Sequence, residues 1–190
     1  IAAGQTTTDG TVAVGASALY ALTSGAGNTA VGYQALKENE DGIRNTAIGY
    51  GAMDSQQAGG DQGTSDGSSN NIFIGYDAGG GAWADALSSY NVGVGNNTMD
   101  AVMNGALYNV AVGHNALSGL TGGDQNVAIG ADACLQTTGG EQNTCIGYTA
   151  GRGIGGGSSN VCVGRQAGYS LSSASSTVLV GWGAGDSINS

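Results

Sequence analysis

Apolar and polar positions keep one order along the whole chain: Asn, then Thr or Val, a small residue, Val or Ile, Gly, two variable residues, Ala, and last Leu, Met or Gly. With the glycine as position zero, ten copies fall on Gly15, Gly32, Gly49, Gly75, Gly95, Gly113, Gly130, Gly147, Gly164 and Gly181. The intervals between them are 17, 17, 26, 20, 18, 17, 17, 17 and 17 residues. A fixed 17-residue unit with three insertions accounts for every interval, so residues 1–190 read as one repeat array rather than an ordinary compact domain.

Each slot of the unit predicts part of a coil. Position minus one is β-branched in all ten copies, from Val14 and Val31 to Val163 and Val180, which predicts the buried column of a stack of short strands. Position minus two is mostly small, with Ala13, Ala30, Ala47, Gly93, Ala111, Ala128, Cys145 and Cys162 against the exceptions Phe73 and Leu179. Alternation of the two predicts an opposite strand face that meets another backbone closely. Glycine at zero, as in Gly32, Gly49, Gly130, Gly147 and Gly164, suits a corner with positive φ or close approach. Ala at plus three, with Thr98 the exception, makes a second small column. Position minus four is Asn in Asn28, Asn45, Asn71, Asn91, Asn109, Asn126, Asn143 and Asn160, with Thr11 and Thr177 at the two ends. Stacked Asn can bond its amide to the coil above and tolerates a left-handed turn, so this ladder reads as structural rather than ligand-binding.

The rest of the unit is rich in Gly, Ser, Thr, Asp and Gln, which predicts turns returning the chain to the next coil. The largest insertion, near 54–70, and a second, near 79–90 and containing Trp83, are expected to project as loops, where such arrays often place binding groups. A third adds one residue near Met103.

Composition narrows the function. Glycine is abundant but not at every third position, and proline is absent, so a collagen helix is excluded. A formal net charge of −10, with only Lys37, Arg44, Arg152 and Arg165 as cations, argues against nucleic acid or an anionic membrane as partner. It is a charge that keeps a rod with few ionised groups from sticking to itself. No run approaches the ~18 apolar residues of a membrane span. No signal peptide is legible at Ile1, and a piece of a longer protein would show none. Cys134, Cys145 and Cys162 form no Cys-x-x-Cys pair and His114 is the only histidine, so no metal site is expected. Cys145 and Cys162 share the minus-two slot of successive repeats, either as small core residues or as a disulfide between neighbouring coils.

Ten coils about 4.8 Å apart would make a stack roughly 45–50 Å long. One or two Val or Ile, a few Ala and an occasional Leu per coil is a thin core, and the missing burial is expected from other chains, brought close by the two small columns.

Units such as Asn28-Thr29-Ala30-Val31-Gly32-Tyr33-Gln34-Ala35-Leu36 and Asn45-Thr46-Ala47-Ile48-Gly49-Tyr50-Gly51-Ala52-Met53 resemble the head repeats of YadA-like trimeric autotransporter adhesins, and equally the same repeat in bacteriophage tail fibres. The resemblance covers about Thr11 to Gly185. It implies an all-β parallel β-roll, a β-solenoid of about ten coils, left-handed and homotrimeric. The 17-residue unit is longer than the adhesin repeat, which favours the phage-fibre group. In that group a self-cleaving C-terminal chaperone often follows, so an end near Ser190 is expected either as a processing point or merely as the limit of a piece of a longer chain.

No catalytic constellation or cofactor site emerges. His114 replaces the Tyr found at plus one in other copies and has no Ser or Cys partner with an acid behind it. The stretch Gly153-Ile154-Gly155-Gly156-Gly157 carries no Lys and opens no helix, so it is no phosphate loop. Trp83 and Trp182 are the candidate receptor contacts, because large amphipathic rings can stack on sugars. The expected function is a structural fibre segment of a trimeric attachment protein, with two further copies of itself as partners and a host surface glycan or protein as the possible target. That places it outside the cell, on a virion, or alternatively on a bacterial outer surface as an adhesin head. An ice-binding solenoid is the rival, weakened because Thr29, Thr46 and Thr144 are the only threonines at minus three.

Overall fold

The computed structural model describes residues 9–55, 67–83 and 86–186. Ten strands of three residues each lie one per unit: β1 (Val12–Val14), β2 (Thr29–Val31), β3 (Thr46–Ile48), β4 (Ile72–Ile74), β5 (Val92–Val94), β6 (Val110–Val112), β7 (Val127–Ile129), β8 (Thr144–Ile146), β9 (Val161–Val163) and β10 (Val178–Val180). They form a single parallel sheet in chain order. Each copy of the phrase pairs in register with the next, as in Ala111 opposite Ala128 and Val112 opposite Ile129. The chain is therefore a β-solenoid with about 17 residues to a turn, and insertions leave the register untouched: Ala47 still pairs with Phe73 across the longest of them.

Backbone bonding continues around the coil outside the strands. The plus-two N–H donates to the preceding coil, Gln34 to Ala16 and Asp132 to His114, each at 2.9 Å. The plus-four N–H donates to the following coil, Leu36 to Ala52 at 3.0 Å and Leu117 to Ala133 at 3.1 Å. Reaching both neighbours forces positive φ at recurring slots, including non-glycine residues such as Gln34, Leu36, Asn115 and Leu117. At zero, φ lies between 127° and 145°, and a methyl group there would strike the carbonyl of the next zero glycine, as between Gly113 and Gly130. Both constraints require glycine.

The phase of the alternation is the reverse of the sequence expectation. The interior column is minus two, with Ala30, Ala47, Phe73, Ala111, Ala128, Cys145 and Cys162 fully buried. Minus one, read above as the buried column, points outward: Ile48, Ile74, Val94, Val112, Ile129 and Ile146 are each exposed. The Ala column at plus three is also interior, so neither small column offers close approach to another chain. A 17-residue turn encloses a narrow space, already filled by plus-four residues such as Leu36, Met53, Met99 and Leu117. Only a small residue fits opposite them. Where Phe73 breaks the rule, Gly93 of the next coil yields the volume, since a Cβ there would run into the ring.

The Asn column is wholly buried. Asn126 shows the pattern: its Oδ1 accepts from the backbone N–H of Asn143 at 2.9 Å and from Nδ2 of Asn143 at 3.1 Å. Its own Nδ2 donates to the carbonyl of Gly140 at 2.8 Å and to Oδ1 of Asn109 at 3.0 Å. The left-handed residue of this corner is not the Asn but its predecessor, as in Arg44, Tyr108 and Gln125. Asn126→Ala would orphan the Asn143 N–H and the Gly140 carbonyl inside the stack. The expected loss is about 2–4 kcal/mol of unfolding free energy in a urea titration, whereas Gln125→Ala, on the exposed neighbour, should change it by less than about 0.5 kcal/mol.

Candidate functional site

Two outward residues per strand, minus three and minus one, cover the outer face of the sheet. In ten copies these positions hold only Val, Ile and Thr, with no charge among them. Nine spacings of ~4.8 Å give this strip a length of about 43 Å, and at ~10 Å wide its area is roughly 400 Å². That equals a large exposed patch on a monomer, of the kind that marks an interaction site. It is about half of the ~800 Å² each partner contributes to a stable interface.

Aromatic columns flank the strip and extend it. On the plus-one side Tyr33 stacks on Tyr50 with centroids 4.9 Å apart, and Tyr50 on Tyr76 at 5.5 Å. Farther along, the Arg165 guanidinium lies over the Tyr148 ring at 5.8 Å. On the minus-five side Tyr90 stacks on Tyr108 at 4.9 Å. These tyrosines are about half exposed, their rings stacked on one another or, for Tyr148, under the Arg165 guanidinium. His114 occupies the same plus-one column and is exposed.

The two tryptophans differ. Trp83 is fully buried and not open to a ligand: its ring packs edge-on to Phe73 at 6.0 Å and its Nε1 donates to the Gly79 carbonyl at 2.8 Å. Trp83 of the second insertion thus closes over Phe73, while Leu87 farther along is exposed, and Met103 of the third insertion is also buried. Residues 56–66, most of the first insertion, lie outside the described residues. Trp182 is 75% exposed on the final strand's corner. Asn28, Asn45, Asn143 and Asn160 lie in the buried ladder, and Gly32, Gly49, Gly147 and Gly164 in the corner column, so these residues build the scaffold and face no ligand.

Cys145 and Cys162 are small core residues, as one reading of the sequence expected, but the disulfide between neighbouring coils joins Cys145 to Cys134 rather than to Cys162. Cys134, at plus four of the seventh coil, forms a disulfide with Cys145, at minus two of the eighth, with Cα atoms 6.1 Å apart. Cys162 is a buried free thiol, and burial pushes its pKa up to about 11. The compositional hint was present: Gly151 and Gly168 replace the usual Leu or Met at plus four in the two coils that carry Cys at minus two. A Cβ at Gly151 would meet both bonded sulfurs.

Asp54, Asp77 and Asp100, from successive coils, lie close enough to influence one another. Burial raises the Asp54 carboxyl above its usual range, with the charge of Asp77 adding to the effect and a hydrogen bond from Ser55 opposing it. Burial also raises Asp77, with Asp100 contributing. Among the described residues no three His, Cys, Asp or Glu side chains come together as a metal would need, and no helix is long and apolar enough to cross a membrane. Comparison with known proteins finds no matching family model, no matching curated protein and no matching solved structure.

A raised carboxyl pKa favours the folded state only while protonated. That contribution is complete below the unfolded pKa and is lost as pH rises through the raised value. Asp54→Asn should therefore raise the thermal midpoint at pH 7, and the difference from the parent should vanish below about pH 3.5.

Proposed function

We propose that this chain is a rigid segment of a trimeric surface-attachment fibre, of the tail-fibre kind, in which the outer sheet faces of three copies pack around a common axis. The observation that carries the reading is the uncharged strip of Val and Ile, with three Thr, at minus one and minus three. At roughly 25 cal/mol per Å², ~400 Å² of apolar strip is worth about 10 kcal/mol to each chain if covered, before the losses of association. A closed ring uses two different flanks of each chain, one against each neighbour. Tyrosine columns on both sides of the strip suit that arrangement better than a single flat contact. The number three, the left-handed winding and the place on a virion come from the resemblance of the repeat phrase. In this reading the segment spaces and stiffens, and attachment to a host surface belongs to exposed groups such as Trp182 or to neighbouring parts of the fibre.

Light scattering of residues 1–190 is expected to give three copies per particle. The double substitution Ile129→Asp and Ile146→Asp places two carboxylates in the middle of the strip and should reduce the particle to one copy, with the circular-dichroism signal of the coil retained. A parent protein that is monomeric at micromolar concentration would sink the proposal. A double variant that stays trimeric would move the interface elsewhere.

A further inference from the structure

The interior of the seventh and eighth coils holds a disulfide, with a third sulfur one coil further on in the ninth. Cys145 and Cys162 are direct partners in the parallel pairing of β8 with β9. Parallel neighbours stand about 4.8 Å apart, inside the ~4.4–6.8 Å Cα separation that a disulfide spans. Both occupy the inward minus-two slot, both are fully buried, and the plus-four residue facing each is a glycine. Space for a sulfur is therefore present at both levels: a Cβ at Gly151 would meet Cys145 Sγ, and one at Gly168 would meet Cys162 Sγ. Cys162 repeats the environment of Cys145 without its partner, because the residue equivalent to Cys134 one coil on is Gly151.

We propose that Cys145 is shared between two partners, so that Cys162 exchanges with the Cys134–Cys145 disulfide and moves the covalent clasp from the seventh and eighth coils to the eighth and ninth. In the exchange Cys162 Sγ gives up its proton and attacks Cys145 Sγ. The Cys145–Cys162 bond forms as the Cys134–Cys145 bond breaks, and Cys134 leaves as the thiolate and takes up a proton. Two sulfurs are bonded before and after, so no oxidant or reductant is consumed. The loops closed by the two pairings span 11 and 17 residues, which differ by only about twofold in chain-entropy terms. Burial of the attacking thiol makes the step slow in the closed stack and ties it to opening of the ninth coil. The clasp then sits in whichever pair of coils closes last.

Trypsin separates the outcomes, because it cuts after Arg44, Arg152 and Arg165 and leaves Cys134 and Cys145 together on 45–152 and Cys162 alone on 153–165. The protein is held in a mixed reduced and oxidised glutathione buffer at mildly alkaline pH, blocked with iodoacetamide at intervals and digested without reduction. The expected result is a growing species in which 45–152 is joined to 153–165, with the blocking group on Cys134. Blocking only at Cys162 at every time point overturns the proposal, and so does a joined species carrying the block on Cys145. In Cys134→Ser the same incubation should join the two peptides through Cys145 and Cys162, and recovery of both as blocked thiols overturns it independently.

Discussion

Everything in this molecule is set by the distance between one coil and the next. A backbone ladder fixes that distance at about 4.8 Å, and each side chain must then live directly above and below its own repeat equivalent. Few residue types tolerate their own stacking at that spacing. Asn does, because its amide has both donors and an acceptor, so a column of Asn bonds itself and the adjoining backbone without remainder. Gly does at the corner, where anything larger would strike the carbonyl of the next turn. Ala does inside. The repeat phrase is in effect the set of residues that can be piled on themselves, and coils that depart from it do so in compensated pairs: Phe73 with Gly93, Cys145 with Gly151, Cys162 with Gly168.

That rule explains what the sequence disclosed. Periodicity is a property of the stack itself, so the 17-residue unit gave the coil, the parallel register and the positions of the insertions directly from spacing. Alternation of Ala with Val or Ile gave two strand faces but not their phase, since period two is silent about which face is inside. Hydrophobicity suggested the larger residues; the width of a one-strand coil decided for the smaller ones. The same blindness to width hid the Cys134–Cys145 pair, where spacing drew attention to Cys145 and Cys162 while plus four and minus two converge across the interior. Trp83 misled for a related reason: an insertion reads as a protrusion until one sees that Phe73 has opened the wall it must cover.

Inversion of the faces changes what the surface means. With the small columns spent inside the coil, the β-branched residues that would have been the core become the boundary of the chain. No ionised group stands at minus three or minus one in any of the ten copies, although the chain carries a net charge of −10. For the assembly proposed above, such a surface would repel like chains except along one strip, which would favour closure over open lateral growth.

The direction of the hydrogen bonds adds a mechanical argument for lateral partners. In a single solenoid most backbone bonds run along the stack axis, between coils, while short turns within each coil supply the rest. Tension along that axis opens the bonds of one coil before it loads those of the next, so an isolated chain peels turn by turn and is weak in the direction a fibre is pulled. Side-by-side chains change this, because a coil can open only by also leaving the strips of its neighbours. The covalent tie between the seventh and eighth coils acts in the same direction, since it joins turns that axial tension would separate. In the proposed fibre, stiffness along the rod would therefore come from contacts across it, and the outer sheet face is where this chain has the means to make them.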